Sequence, residues 1–232
     1  MKWQDKLVRL QRLACGLNCD LKVQIPQVCK TGGRLISSSC YGQSGALFLG
    51  LNPGDVEGVS SVFDVERNTA SPLLTWAELK YWRTCGIFLK QAPGLLDWFD
   101  GGVTSGFVCP WRTRNRDELY RLNRNPRGLI FRYSGDILAQ MVEDHEARLL
   151  VVTGFCGPRM IEDVLHLPDV RHSELRCTDG PYDMHPYRYS GWDLTLNGRH
   201  LKVLQIPHFS RAVSPSRLQP CADWLSRKLR LA

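Results

Sequence analysis

The chain has 232 residues, enough for a substantial buried core, and 43% hydrophobic with 23% charged residues is an ordinary globular composition. Its apolar runs are far shorter than the roughly 20 residues that cross a bilayer, which argues against a membrane protein. The net charge of +7 favours a polyanionic partner, with nucleic acid ahead of a membrane surface.

The N-terminal stretch "MKWQDKLVRLQRLACG" is charged throughout, unlike an export signal. We therefore expect a cytoplasmic protein whose nine cysteines are reduced thiols or metal ligands. We find no repeat or convincing linker, so residues 1–232 are predicted to form a single domain. Residues 1–45 are expected to pack on it as an N-terminal helix and a cysteine-rich segment.

The first half of the chain alternates helical and strand patterns. Apolar residues at helical spacing predict an amphipathic helix over residues 3–17, followed by an irregular stretch over 18–45. A short, continuous apolar run over residues 46–51 predicts a strand buried on both faces. A Ser-Pro pair predicts a helix over residues 71–90, and residues 103–109 read as a second strand.

The second half repeats this alternation. Pro126 predicts a loop, Ser134 is predicted to cap a helix, and residues 148–154 form a third buried strand. A further helix is expected to begin near Pro158. The pair Asn197-Gly198 is typical of a type I′ hairpin turn, and the run after it, residues 201–206, is the fourth strand.

This alternation predicts an α/β fold: a single three-layer domain with a central, mostly parallel four-stranded sheet flanked by helices. In such sheets the functional site lies beyond the carboxyl ends of the strands. The loops after the four strands should therefore meet. They carry Asn52 and Asp55, an arginine-rich segment that includes Arg112 and Arg114, a Gly-Phe-Cys stretch, and His208.

The stretch "GLNPG", residues 50–54, ends the first strand abruptly. Gly50 and Gly54 would let the backbone approach a ligand closely, and Pro53 stiffens the turn. Asn52 offers an uncharged carbonyl and amide. A purely structural turn explains the same residues, because Asn, Pro and Gly favour turns for local reasons. The presence of His208 directly after another strand favours a functional site.

Together these stretches resemble the uracil-DNA glycosylase superfamily. "LFLGLNPG" is similar to its first motif and "VLQIPHFSRA" to its second, with "TSGFVCPWRTRNR" and "ARLLVVTGFCGPRM" resembling the strands between them. "LVRLQRLACGLNCDL" is similar to the start of the branch that carries an iron–sulfur cluster. The likeness covers most of the chain in the same order.

The resemblance implies a DNA glycosylase that flips a base out of the stack and cleaves its glycosidic bond. Asn52 would position the attacking water, with Asp55 assisting or merely capping a turn. His208 would donate a hydrogen bond to the departing base. Leu51 and the neighbouring glycines and proline would line the pocket, and Phe63 would stack on the base or else belong to the core. Arg112, Arg114, Ser210 and Arg211 would hold phosphates.

Two departures from the family point to the substrate. The position that reads the base edge in the family corresponds here to Ser105, and the position that blocks the pyrimidine C5 corresponds to Gly54. Both are small, which favours a larger, 5-substituted base, such as the glucosylated hydroxymethylcytosine of phage DNA. Uracil-type excision repair and a non-catalytic module that binds modified or single-stranded DNA stay open as alternatives.

No cofactor is expected for the chemistry itself. Cys15, Cys19 and Cys109 lie near cluster positions of the iron–sulfur branch, but the spacing differs and the fourth ligand downstream of Cys109 is missing. Cys29, Cys40 or Cys156 could substitute for it. An iron–sulfur cluster needs four thiolates and zinc accepts a histidine, so either metal stays open beside free thiols. The expected partner is DNA, with no membrane, no obligate protein partner and a monomeric state.

Overall fold

The structure is a computed structural model that describes residues 3–25, 45–50, 105–111, 116–153, 161, 163–164, 173–176, 189–206 and 215–230. They form an α/β fold with one mixed, mostly parallel sheet between helices, as predicted. In chain order the elements are α1 (Trp3–Gln24), β1 (Ala46–Gly50), β2 (Ser105–Phe107), α2 (Arg116–Arg121), α3 (Arg124–Asp144), β3 (Leu149–Thr153), β4 (Ser173–Arg176), β5 (Ser190–Leu196), β6 (Arg199–Ile206) and α4 (Pro215–Arg230).

The sheet has six strands in the order β2-β1-β3-β6-β5-β4. The first four are mutually parallel and are the four strands predicted from the sequence. The predicted number of strands is wrong, because β5 and β4 extend the sheet by antiparallel pairing beyond β6. β4 reads "SELR" and has no apolar run, so the sequence pattern gave no strand signal there.

The two faces of the sheet pack against different helices. Side chains of one face, including Leu49, Val152 and Val203, join α1 and α3 in one hydrophobic cluster. The opposite face carries α4: a Cβ added to Gly191 of β5 would lie 3.5 Å from the Trp224 ring. The nearly continuous apolar runs of "ALFLG" and "LLVVT" are explained by this burial on both faces.

The hairpin between β5 and β6 turns at the predicted residues. Asn197 and Gly198 have φ angles of 50° and 76°, the two positive values that a type I′ turn requires. The turn fixes the register, in which Leu194 lies opposite Leu201 and Trp192 opposite Val203. The predicted hairpin is confirmed.

Two helix boundaries differ from the prediction. α1 continues to Gln24, because Asn18 and Leu21 extend its buried stripe beyond residue 17, so residues 18–24 are not irregular. α3 begins at Arg124 with Pro126 in its first turn, where a missing N–H is tolerated. Ser134 is therefore a mid-helix residue and not a cap; its hydroxyl donates to the Ile130 carbonyl at 2.8 Å.

A buried carboxylate joins α1 to the C-terminal end of α3. Asp144 is 1% exposed and forms an ion pair with Arg9, while Lys6 donates to its main-chain carbonyl at 2.5 Å. Gln140 also donates to the carboxylate, at 3.0 Å. These contacts fix the start of α1 near the amino edge of the sheet, where β3 begins.

Within the described ranges, no helix has the length and apolar character to cross a bilayer. The predicted helix over residues 71–90 lies outside the described residues. Of the helix expected near Pro158, Ile161, Asp163 and Val164 are described and helical.

Candidate functional site

The carboxyl ends of the four parallel strands lie side by side. Leu49 of β1 pairs with Val152 of β3, and Val152 pairs with Gln205 of β6. On the other side of β1, Gly50 pairs with Phe107, the last residue of β2. The strands therefore end at nearly the same level, as the prediction of one shared edge requires.

Because of this register, Asn52 and His208 follow residues that lie at the same level of the sheet. Asn52 follows Leu49 by three positions, and His208 follows its level partner Gln205 by the same three positions. One strand, β3, separates β1 from β6, so the strands that precede the two residues are two spacings apart, roughly 10 Å. Asn52 and His208 themselves lie outside the described residues.

Gly50 and Phe107 are in close contact at this edge. A Cβ on Gly50 would lie 3.0 Å from two carbons of the Phe107 ring, so the glycine allows the ring to lie against the β1 backbone. This contact gives Gly50 a packing role that the sequence did not reveal, and its contact with substrate stays a prediction. Ser105 is the first residue of β2 and pairs with Phe48 of β1 in the backbone register.

The chain leaves β2 through a buried segment, residues 108–111, that three neighbouring elements hold. The Val108 amide donates to the Gly50 carbonyl of β1 at 2.9 Å. The Cys109 thiol is hydrogen-bonded to Ser134 of α3. The Trp111 indole donates to the Asn18 side chain of α1 at 3.3 Å, and both residues are buried. We call residues 108–111 the exit segment.

The Cys109 thiol is protonated at neutral pH. Burial raises its pKa to about 11, and hydrogen bonds with Ser134 and the Trp111 backbone offset part of that rise. A nucleophilic or metal-binding cysteine needs the thiolate form. In this environment the thiol fits a packing role.

Arginines lie around the beginning of α3. This helix ends beside the start of β3, and its midpoint contacts the exit segment, so its first turns lie towards the carboxyl edge of the sheet. Arg121 and Arg124 are exposed there, while Arg127 is held over the Tyr120 ring, 5.6 Å from its centroid. Arg124 and Arg127 both lie in the first turn of α3, where their positive charge opposes the helix dipole. A bound anion would relieve this repulsion.

A groove of about 610 Å³ opens between the end of α1 and the first turns of α3. Ile25 and Leu129 contribute apolar side chains to its lining, and Arg132 contributes a positive charge. A Cβ on Gly128 would meet nothing within 4 Å, which keeps the groove open at that point. Its residues are Gln24, Ile25, Asn125, Pro126, Gly128, Leu129 and Arg132.

The described residues alone do not provide a metal site. No three His, Cys, Asp or Glu side chains among them are grouped as metal binding requires. Among the described cysteines, Cys15, Cys19, Cys109 and Cys221 form no disulfide. Cys29, Cys40 and Cys156, the candidates for a fourth ligand, lie outside the described residues.

Most of the predicted site residues fall outside the described part of the chain. Gly50, Ser105 and the three cysteines are described. The candidates that lie outside are Leu51, Asn52, Pro53, Gly54, Asp55, Phe63, Arg112, Arg114, His208, Ser210 and Arg211.

Sequence reasoning missed the pair Asn18 and Trp111. The available signal was an asparagine in the apolar stripe of α1, at helical spacing from Ala14 and Leu21. A buried amide requires a hydrogen-bonding partner, which the sequence could not identify at a separation of 93 residues.

Comparison with protein-family models and with curated proteins gives no match. Among solved structures, the chain is similar to a domain of unknown function (DUF1537) from Bordetella bronchiseptica, determined with bound citrate as a domain-swapped dimer. The sequence identity is 14% and the TM-score is 0.33. The match covers 79% of this chain but only 41% of that one, and at this TM-score it carries no functional information.

Proposed function

We propose that this protein is a monofunctional DNA glycosylase that hydrolyses the N-glycosidic bond of a flipped, modified pyrimidine and leaves an abasic site. The observation that carries the proposal is the common level of β1 and β6, from which Asn52 and His208 each follow by an equal number of residues. Two strand spacings, roughly 10 Å, suit side chains that approach one nucleoside from its sugar and from its base.

The proposed reaction uses water as the nucleophile. Asn52 orients a water molecule, with Asp55 available to accept its proton, and the water oxygen attacks the sugar C1′ as the bond to the base breaks. The bonding electrons leave with the base, and His208 donates a hydrogen bond to the base carbonyl on which negative charge develops. The base then takes up a proton, and the sugar keeps the new hydroxyl.

The proposed pocket favours a bulky pyrimidine. Ser105 lies in β2, where it pairs with Phe48 in the backbone register, and a serine occupies less volume than the asparagine that the uracil readers of the resembled superfamily place at the corresponding position. Gly54 presents no side chain to a 5-substituent. Phe63 is the candidate for stacking on the base, while Arg112, Arg114, Ser210 and Arg211 would contact phosphates. The exposed Arg121 and Arg124 beside the same edge support a DNA partner.

The test is an abasic-site assay on three DNAs, which contain uracil, glucosylated 5-hydroxymethylcytosine, or no modification. Alkali cleaves the strand wherever a base has been removed. We expect strand breaks in the hypermodified DNA. Breaks in the uracil DNA alone would favour a repair enzyme, and DNA binding without breaks in any substrate would favour the non-catalytic module.

Matched variants connect the activity to the proposed residues. His208→Ala and Asn52→Ala should each lower the cleavage rate by about a hundredfold, the loss typical of removing one transition-state contact. His200→Ala is the control for the first variant, because the exposed His200 lies near the opposite end of the same strand. Asn125→Ala, at an exposed position of α3, is the control for the second. Equal rates in a test variant and its control would remove that residue from the mechanism.

A further inference from the structure

The exit segment is buried and hydrogen-bonded on several sides, although it is a connection that leaves the edge of a sheet. Val108, Cys109 and Trp111 are each 0% exposed, and each is bound by a different element, namely β1, α3 and α1. Loops at such an edge more often lie on the surface, where water satisfies their polar groups. Here one main-chain hydrogen bond and two side-chain hydrogen bonds fix the course of the backbone.

The contact with α1 is the most informative of the three. Asn18 is 4% exposed in an otherwise apolar stripe, and its Oδ1 atom accepts the indole hydrogen of Trp111 at 3.3 Å. A leucine at position 18 would pack in such a stripe without desolvating an amide. A buried polar pair restricts two elements to the arrangement that keeps both groups paired, so it fixes position rather than simply adding burial.

Arg112 and Arg114 follow Trp111 directly in the sequence. Trp111 is the last described residue before this arginine pair, which follows it by one and three positions. We propose that Asn18 is a positioning residue that, through Trp111, orients Arg112 and Arg114 towards the phosphates of bound DNA. This inference rests on the proposed function, and it gives α1 a part in DNA binding without any contact between Asn18 and DNA.

The test measures DNA affinity against salt concentration, by fluorescence anisotropy of a short labelled duplex that contains a tetrahydrofuran abasic site. Each phosphate contact contributes about one unit to the slope of log affinity against log salt. Arg112→Ala/Arg114→Ala should reduce this slope by about two. Asn18→Ala should reduce it by between one and two and weaken binding about tenfold at moderate salt.

The control variant is Arg9→Met, which weakens the attachment of α1 to α3 near the amino edge of the sheet. It should lower the melting temperature but leave the salt slope unchanged. In the Arg9→Met background, the arginine double substitution should have its full effect. In the Asn18→Ala background it should weaken binding by less than twofold, because the same contacts are already lost. If Asn18→Ala fails to fold, Trp111→Phe keeps an aromatic ring and removes the indole donor.

The outcomes separate this inference from the proposed function. A wild-type protein that cleaves DNA, with Asn18→Ala equal to Arg9→Met in salt slope, would overturn the inference alone. Loss of slope in Asn18→Ala without glycosylase activity on any substrate would support the inference and overturn the catalytic proposal. A wild-type protein that binds no DNA would overturn both.

Discussion

Substitution of Gly50 by alanine tests whether the contact between Gly50 and the Phe107 ring stabilises the end of β1, beside the candidate site. The added methyl group would lie 3.0 Å from Cδ1 and Cε1 of the Phe107 ring, closer than carbon atoms normally approach. Phe107 is half-buried, so its ring can move by a few tenths of an ångström but cannot leave without opening a gap. We expect Gly50→Ala to lower the free energy of unfolding by about 1–2 kcal/mol, the usual cost of one extra methyl in a packed site.

The assay is urea unfolding of four proteins: wild type, Gly50→Ala, Phe107→Leu, and the double variant. A loss of about 1–2 kcal/mol corresponds to roughly 2–8 °C in melting temperature for a domain of this size. Leucine is smaller than the ring and removes the clash, so the double variant should be more stable than the sum of the single effects predicts. The abasic-site assay on the same proteins reports the effect on the neighbouring Asn52.

Strict additivity of the two substitutions would refute this reasoning, because residues that do not touch contribute independently. The alternative from the sequence is that Gly50 leaves space for the nucleotide. In that case Gly50→Ala would slow cleavage with no loss of stability, and Phe107→Leu would restore nothing. The two explanations therefore predict opposite results in the double variant.

Three further predictions concern stability. Arg9→Met should lower the free energy of unfolding by about 1–3 kcal/mol, a loss that the partial exposure of the arginine reduces, because it leaves the buried Asp144 carboxylate without this ion pair. Adding Asp144→Asn should recover part of that free energy, as measured by urea unfolding of the two variants. No recovery would contradict a charge effect. Gly198→Ala should cost about 1 kcal/mol, because φ of 76° strains an alanine, whereas a melting temperature equal to wild type would argue against the type I′ turn. Because the pKa of Cys109 is raised, the contribution of its protonated thiol to the free energy of unfolding is complete below about pH 9 and is lost as pH rises towards 11. Cys109→Ala should therefore flatten the dependence of the free energy of unfolding on pH in this range. An equal slope in both proteins would contradict the burial of the thiol.

The sequence was sufficient for the parts of the fold that depend on continuous or periodic apolar patterns. β1 and β3 could be found because each is buried on both faces, as in "LLVVT", and the hairpin because Asn-Gly suits positive φ angles. β4 escaped prediction because its four residues are held in the sheet by the neighbouring β5 rather than by their own pattern.

Helix boundaries and the exit segment depend on contacts that local patterns do not encode. Pro126 and Ser134 look like interruptions in sequence, yet α3 accommodates the first in its opening turn and the second through a bond to the Ile130 carbonyl. The role of Asn18 depends on a tryptophan 93 residues away. The order of the strands, β1 between β2 and β3, also had to come from the structure, and with it the common level from which Asn52 and His208 follow.

The sheet order also bears on how this protein could change during evolution. β1 and β6, from which the proposed catalytic residues follow, each have a paired strand on both sides, whereas β2 is a terminal strand of the described sheet. A shift in an interior strand disturbs two neighbours, but a shift in β2 disturbs one, over only three register pairs. Under the proposed function, a mutation of Ser105 would therefore disturb the strands before Asn52 and His208 less than a change within β1 or β6, and a lineage could acquire a new target base by drift at the sheet margin.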